Sequence, residues 1–415
     1  MIKYIPIDQI VHTISITHKF NKEKLYAINT SDVLEGEILN APLMNVSELK
    51  GQFKKTIEYG DLLFSEIRPA NRRYAKVRIE DTRDYVVSTK LMVLRKYNND
   101  VDFDYFYYCL TNQWFLNILQ KRAENRICSF PQITFELLSE YKFRIPELDE
   151  QKKIAKILLL LDKKISLNTR MNAELETMAK QLYDYWFVQF DFPDKNGKPY
   201  KSSGGKMVYN EILKREIPEG WGVQKLEEIV SLLRDGTHNP PKRVESGIPL
   251  LTGTMFGKFF IDHSLATYIT EVDYNNIHKQ YKPQSGDIIL TKIGTIGNVN
   301  YLRNKDIPLA IHCNSALLRF PSSMGKSFPF FLCKSQLFSL RLKAMKGQSV
   351  QEFVSLDKIG SVRMEIPNNE LISLFNQKVD KIFDEITNLS EEIESLSHLR
   401  DSLLPMLMNG QVTVE

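Results

Sequence analysis

Two long stretches of the chain carry its clearest periodicity. In the later one, apolar residues fall at Phe375, Val379, Ile382, Ile386, Leu389, Ile393, Leu396, Leu399 and Leu403. Spacings of four and three alternate through most of it, the heptad seam of a coiled coil. The earlier one runs Ile154, Leu158, Leu161, Ile165, Asn168, Asn172, Leu175, Met178 and Leu182, with two asparagines in mid-seam. A polar seam residue costs stability and fixes register. The pattern predicts helices over 149–190 and 368–409. Ahead of each helix the pattern changes. Short apolar runs of Ile, Val, Leu, Tyr and Phe are broken by Gly, Pro and Asn, which reads as strands and loops. "GDIILTKIG" suits a buried strand entered through a Gly-Asp turn.

The strand-rich part is written twice. "GDLLFSEI" (60–67) matches "GDIILTKI" (286–293) at an offset of 226. "YVVSTKLMVLRK" (85–96) matches "LAIHCNSALLRF" (309–320) at 224, and "TFELLSEYKFRIP" (134–146) matches "SLDKIGSVRMEIP" (355–367) at 221. "IDQIV" (7–11) resembles "LEEIV" (226–230) at 219. Four matches in one order, with slowly drifting offsets, indicate a duplication. Each copy passes an Ile-Pro dipeptide, Ile145-Pro146 or Ile366-Pro367, and then turns helical.

The predicted fold class is α+β. Two similar mixed α/β domains are separated by two long antiparallel coiled-coil helices, a pseudo-twofold internal repeat. The expected boundaries are a first domain over 1–148, a central helix over 149–190 and a connector over 191–215. A second domain over 216–367, a C-terminal helix over 368–409 and a tail over 410–415 complete the chain. The later helix carries eight acidic and three basic residues over 369–408, the earlier seven basic and six acidic over 149–187. Those charges favour pairing of the two helices with each other; the alternative is that each packs on its own domain. Paired helices of this length make a spacer of roughly 60 Å at 1.5 Å per residue. A linear ligand with two reading sites fits such a spacer.

Composition narrows the function. The 415 residues carry a net charge of only +4, so total charge does not announce nucleic acid, though a local basic face remains compatible with it. Cys109, Cys128, Cys313 and Cys333 are scattered and fit reduced thiols. No His/Cys spacing suits zinc. The opening "MIKYIPIDQIVHTISITHKF" has no apolar signal core, and the leucine run Leu158 to Leu161 is too short to span a membrane. A cytoplasmic protein without membrane contact is expected.

Residues 67–96 hold nine basic residues against three acidic ones. Within "RPANRRYAK", Arg68, Asn71, Arg72, Arg73 and Lys76, with Arg78 just beyond, are the candidates. Arg forks onto guanine, Asn onto adenine, and Lys holds phosphate. Arg126 in "ENRICSFPQ" (124–132) and Gln348 and Ser349 in "KGQSVQEF" (346–353) occupy equivalent polar stretches before the last strand of each copy. "RDGTHNPPKR" (234–243) supplies Arg234, Thr237, His238, Lys242 and Arg243, and it reads as a recognition loop on a rigid scaffold. Thr252, Lys292, Thr295 and Asn298 join them. Gly294 and Gly297 permit close backbone approach to a ligand.

The same loop holds Asn239-Pro240-Pro241, the start of the signature of DNA amino-methyltransferases. That chemistry needs an aromatic next, to stack on a flipped base. Lys242 stands there instead, and no Gly-rich dinucleotide-type loop opens a doubly wound domain. Glu150-x-Lys152 lacks an upstream carboxylate on a strand and reads as a helix start. The Walker pattern and the Gly-x-Ser-x-Gly elbow are absent. No catalytic residue, metal or cofactor is expected in this chain.

These features resemble the specificity subunits of type I restriction–modification systems, over essentially the whole chain. "IPELDEQKKIAKILLLLDKKI" (145–165) looks like that family's entrance to the central spacer helix. "YDYWFVQFDFPDKNGKPYKSSGGKMVYNE" (183–211) is similar to its connector, and "EIPEGWGVQKLEEI" (216–229) to the start of its second target-recognition domain. "GDIILTKIGTIG" and "DGTHNPPK" also have counterparts there. The first copy departs from the pattern. It lacks the Pro-x-Gly-Trp opening seen at Pro218–Trp221, it lacks a Gly-Thr-His loop, and "EIRPANRR" replaces the double-glycine turn. The resemblance implies a non-catalytic chain that reads bipartite double-stranded DNA, one half-site per domain, with the helices setting the gap. It implies two methyltransferase subunits carrying S-adenosylmethionine, and restriction/translocase subunits using ATP and Mg. A specificity chain of a methylation-only or fused restriction system shares this architecture. A two-headed protein-binding adaptor is a further alternative, distinguished by binding that ignores salt.

Overall fold

The computed structural model describes residues 3–49, 51–125, 131–345 and 353–414. The chain divides into two units, Met1–Thr169 with Glu391–Glu415, and Arg170–Ser390. The repeat seen in the sequence is a repeat of topology. In the first unit, strands Val11–Thr13, Leu91–Lys96, Leu62–Ser65 and Tyr74–Lys76 form an antiparallel sheet in that order. In the second, Leu232–Asp235, Ser315–Arg319, Ile288–Thr291 and Val299–Tyr301 take the same order. A second sheet in each unit contains one parallel pair, Lys24–Ile28 with Tyr85–Ser88 and Ile248–Leu251 with Ala310–Ile311. The strand before each Ile-Pro, Lys142–Ile145 or Arg363–Ile366, returns to pair with the strand that opens its copy, Lys3–Pro6 or Gly222–Lys225.

The Gly-Asp repeats have a physical reason. Gly60 and Gly286 turn with φ of 89° and 93°, which a side chain resists. The next residue is a buried carboxylate with a full set of partners. Asp61 accepts the Glu58 N–H at 2.7 Å and both prongs of Arg95 at 2.8 Å. Asp287 accepts the Gln284 N–H at 2.7 Å and both prongs of Arg319 at 2.7 and 2.8 Å. A charge is tolerated in such a place only when paired this fully. Paired helices follow in each copy, Phe103–Thr111 and Gln113–Glu124, then Ser327–Lys334 and Gln336–Ala344. Asn112 and Ser335 cap the second helix of each pair by accepting the N–H three residues on.

The two long helices span Leu148–Tyr183, prolonged by a π-helical turn over Asp184–Val188, and Asn369–Asn409. Within each unit their segments run antiparallel. In the first unit Asn168 donates to Glu392 and Asp162 accepts from Arg400, at 2.8 and 2.9 Å. In the second, Asn172 donates to Ser390 at 2.8 Å. The seam asparagines thus fix register through a side chain of the facing helix. The two packing alternatives are not exclusive. Ile154, Leu158, Leu404 and Leu407 share the first unit's main core with Ile7, Phe64 and Phe106, while Phe375, Val379 and Ile386 lie in that of the second. Where the helices meet the domains the simple heptad fails. Met178 is 55% exposed and Ala179 is buried in its place; Leu399 is 46% exposed and Arg400 turns inward to Asp162. The other seam residues Leu161, Ile165, Leu175, Leu182, Ile382, Ile393, Leu396 and Leu403 are half-buried.

One buried histidine makes the second unit sensitive to acid. His278 caps helix Glu271–Ile277, and its Nε2 accepts the Ile311 N–H at 3.2 Å. The proton therefore sits on the buried Nδ1. Burial, opposed by the Tyr281 backbone and aided by Lys282, pushes its pKa from 6.5 down to about 4. The folded chain holds the ring neutral while the unfolded chain protonates near 6.5. Stability from this group is complete above that pH and is lost as pH falls toward 4, by roughly 3 kcal/mol. Urea unfolding at pH 7.5 and 4.5 should show that H278Q has a shallower acid loss than the parent by about that amount; equal losses overturn the assignment.

Candidate nucleic-acid interface

In the second unit the loop after Leu232–Asp235 is built around Asp235. Lys292 donates to its carboxylate at 2.8 Å and His238 lies on it at 3.1 Å. Burial opposes the charge on Asp235, but Lys292 and then His238 outweigh it and hold its carboxyl below the usual range. Gly236 passes so close to the neighbouring strand that a Cβ would stand 1.8 Å from the Ile311 carbonyl oxygen. Only glycine permits that crossing. Thr237 then donates its N–H to Ile311 and accepts from Cys313, both at 3.0 Å, so the loop is stitched to the end of a core strand. His312 sits beside it, its pKa lowered by burial and then by Arg243 and His238 among its neighbours. Arg234, His238, Lys242 and Arg243 are exposed on this scaffold. A rigid base carrying exposed cations, a histidine and a threonine can hold phosphate and read base edges.

The first unit has a counterpart stretch by strand register, though it runs beside residues 54–56 and not beside the counterpart of residues 311–313. His12 pairs with Arg95 and Leu232 with Arg319, the two arginines that hold the equivalent aspartates. Counting on from those pairs brings Thr17 and His18 to the places of Thr237 and His238. The first copy therefore keeps Thr-His and lacks only the glycine, with Ile16 instead. His18 accepts the Phe20 N–H at 2.9 Å and donates to the Arg83 carbonyl at 2.8 Å. With Lys19 and Lys22 it edges an open depression of about 770 Å³. Sequence reasoning missed this pair because the Gly-to-Ile exchange hides the match; the shared Thr-His at a constant offset was the available signal.

The basic stretch is mostly spent on the fold. Arg72 pairs with Glu35 at 2.9 Å and also bonds Gln113. Arg73 donates to the Ser31 and Val33 carbonyls, Arg78 pairs with Glu37, and Arg83 with Asp81. Lys76 pairs with Asp104 and lies 4.5 Å from the Tyr107 ring centroid, and burial lowers its pKa. Arg68 and Asn71 keep exposed side chains with no partner among the described residues. The double-glycine turn survives without glycine. Arg68 and Arg72 take left-handed φ of 47° and 53° where Gly294 and Gly297 take 77° and 95°. Non-glycine residues held so store about 1 kcal/mol each.

A sequence profile of the family described as type I restriction modification DNA specificity domain matches residues 5–177 and 218–398. The chain belongs to this family. Each matched stretch of the specificity chain joins one strand-rich region to one long helix. The type I restriction enzyme HindI specificity subunit of Haemophilus influenzae is 28% identical over 436 residues, covering 93% of this chain and 94% of the relative. The MjaVIII specificity subunit of Methanocaldococcus jannaschii is 25% identical over 338 residues, covering 80% and 75%. Among solved structures, the S subunit of a type I restriction-modification system from M. genitalium matches with a TM-score of 0.57 at 17% identity, covering 98% of this chain and 96% of that one, which shows a shared fold.

The remaining predicted residues of the specificity chain divide. Thr252 follows the strand beside Ala310–Ile311, which leads into His312, and bonds Thr254 at 2.9 Å. Lys292 is 7% exposed and serves Asp235, so it positions the loop. Thr295 and Asn298 are exposed on the turn after Ile288–Thr291, where the Asn298 N–H donates to the Thr291 hydroxyl; Asn298 lines a different cleft from that loop. Arg126, Gln348 and Ser349 lie outside the described residues. Among the described residues no group of three metal-ligating side chains gathers, and no helix is long and apolar enough to cross a membrane.

Proposed function

We propose that this specificity subunit reads a two-part target in double-stranded DNA, one half-site per unit, without catalysing a step itself. The observation that carries it is one framework used twice around different chemistry. Thr17-His18 and Thr237-His238 follow equivalent strands but bridge different segments, Lys55 and His312, and Lys292 and Asp235 in the second copy stand where Glu66 and Ser15 stand in the first. Equal scaffolds with unlike charges suit two different half-sites. Arg68, Asn71, Thr17 and His18 would contact the first, and Arg234, Thr237, His238, Lys242, Arg243 and Thr252 the second. The helices that run through both units would set the gap. Two methyltransferase subunits, bringing S-adenosylmethionine, and restriction/translocase subunits, using ATP and Mg, would dock on the chain in the cytoplasm.

Co-expression with a methyltransferase subunit in an unmethylated host, followed by single-molecule sequencing, tests this directly. A split motif with a fixed unspecified gap is expected; a continuous motif, or none with both proteins associated, rejects it. In the same assay H238A should lower methylation about tenfold through the second half-site only, and H18A through the first only. A change in both half-sites from either variant counts against separate readers.

A further inference from the structure

Each unit has a cleft where its helix segments meet the strand-rich part. In the first unit it is closed from within. Arg72 holds Glu35, Arg400 holds Asp162, and Tyr108 donates to Asp162 at 2.5 Å. The space left is about 50 Å³. The corresponding cleft of the second unit measures about 400 Å³.

The correspondence is fixed residue by residue. Lys76 and Tyr301 pair with the equivalent Leu62 and Ile288, and their N–H groups bond the carbonyls of Gly36 and Phe259. Glu35 therefore stands where Lys258 stands. Thr111 and Lys334 each immediately precede a helix cap, Asn112 and Ser335. At the 221 offset of the Ile-Pro dipeptides, Asp401 matches Lys180. Two carboxylates and a threonine of the first cleft are thus three lysines in the second.

Two of those lysines, Lys258 and Lys334, have no carboxylate in contact among the described residues. Lys334 donates to the carbonyls of Lys258 and Val299, and its ammonium stands 5.1 and 5.5 Å from the ring centroids of Phe259 and Phe330. Burial pushes its pKa down to about 8, against the pull of Glu176. Lys258 has no side-chain partner among the described residues, and Lys180 bonds Asp184 at 2.6 Å. With Lys180 met by Asp184, the one lining carboxylate, Glu176, is left with two ammonium groups, Lys258 and Lys334. Such a site gains from an added anion more than an exposed pair does.

We propose that this cleft receives an aspartate or glutamate side chain from a partner protein, gripped by Lys258 and Lys334. The first unit shows that the same frame seats carboxylates against cations, Glu35 against Arg72 and Asp162 against Arg400. Phe259 and Phe331 wall the cleft and suit the stem of a side chain.

Amine labelling of the full chain by reductive methylation, read by mass spectrometry at Lys258 and Lys334, tests the site. Poly-L-glutamate, inorganic phosphate and a DNA duplex serve as probes at matched charge and salt. Poly-L-glutamate should slow labelling about fivefold, the effect of a pair worth near 1 kcal/mol. K258E, which restores the first unit's carboxylate, should abolish that protection, and K258A should weaken it. Where Lys334 is too buried to label, Lys258 in the unaltered chain carries the result. Protection by the duplex alone makes this a nucleic-acid contact, equal protection by inorganic phosphate a small-anion site, and no protection no site; each overturns the proposal. The inference stands on the cleft and not on DNA reading, which half-site methylation by the same variants reports separately.

Discussion

R319A should cost the second unit about 3 kcal/mol or more, because it strands a buried carboxylate. Asp287 has no exposed surface, and its charge is met by the Arg319 fork and the Gln284 N–H alone among the described residues. Without the arginine the carboxyl must bind a proton or draw water into the core sheet, and either is unfavourable. R319K keeps the charge but not the two-pronged geometry, so it should recover only part of the loss. Differential scanning calorimetry should show a lowered transition for the second unit, with hydrogen exchange rising in Ile288–Thr291 and not in Leu62–Ser65. A loss below about 1 kcal/mol, the scale of exposed ion pairs, would mean the pair is decorative.

That pair also shows what a sequence withholds. The repeated Gly-Asp was legible, and it marks the same strand in both copies. Its partner was not, because Arg95 and Arg319 lie 34 and 32 residues away and only the strand pairing brings them together. Arg95 even read as part of a basic stretch available to DNA. Arg72, Arg73, Lys76 and Arg78 show the same thing: each finds an acceptor on a distant segment. Charge counts see cations but not the carboxylates or carbonyls that fold onto them.

The long helices were legible nearly to their ends, since a seam of period 3.5 depends only on local spacing. The exceptions, Met178 and Leu399, lie where a domain as well as a helix supplies the partner, so burial there follows tertiary contact. The loop over 234–243 was legible as a loop, by its Gly, Asn and Pro. The count that sets Thr17-His18 against Thr237-His238 emerged only from register, because loop sequences drift while the strands that carry them hold their pairing.

Removing one heptad from each long helix should move the gap between half-sites and leave the half-sites themselves unchanged. The deletions must match. Asn172 faces Ser390 and Asp162 faces Arg400, which places 165–171 opposite 391–397. Taking out both segments removes Asn168 together with its acceptor Glu392, so no seam amide loses only one partner. It leaves Asn172 on Ser390. Seven residues are close to two turns, so the apolar seam keeps its facing within about 20°. The helix pair shortens by about 10 Å, roughly three base pairs of duplex. A duplex also turns by nearly a third over that distance, so methylation at the new gap should be weaker than the parent's at its own. The measurement is methylation of a library in which the two half-sites are separated by every gap length. Loss at the parental gap with recovery near three base pairs shorter supports the helices as the ruler. A variant that still methylates the parental gap, while folded and bound to its methyltransferase, places the ruler elsewhere in the complex.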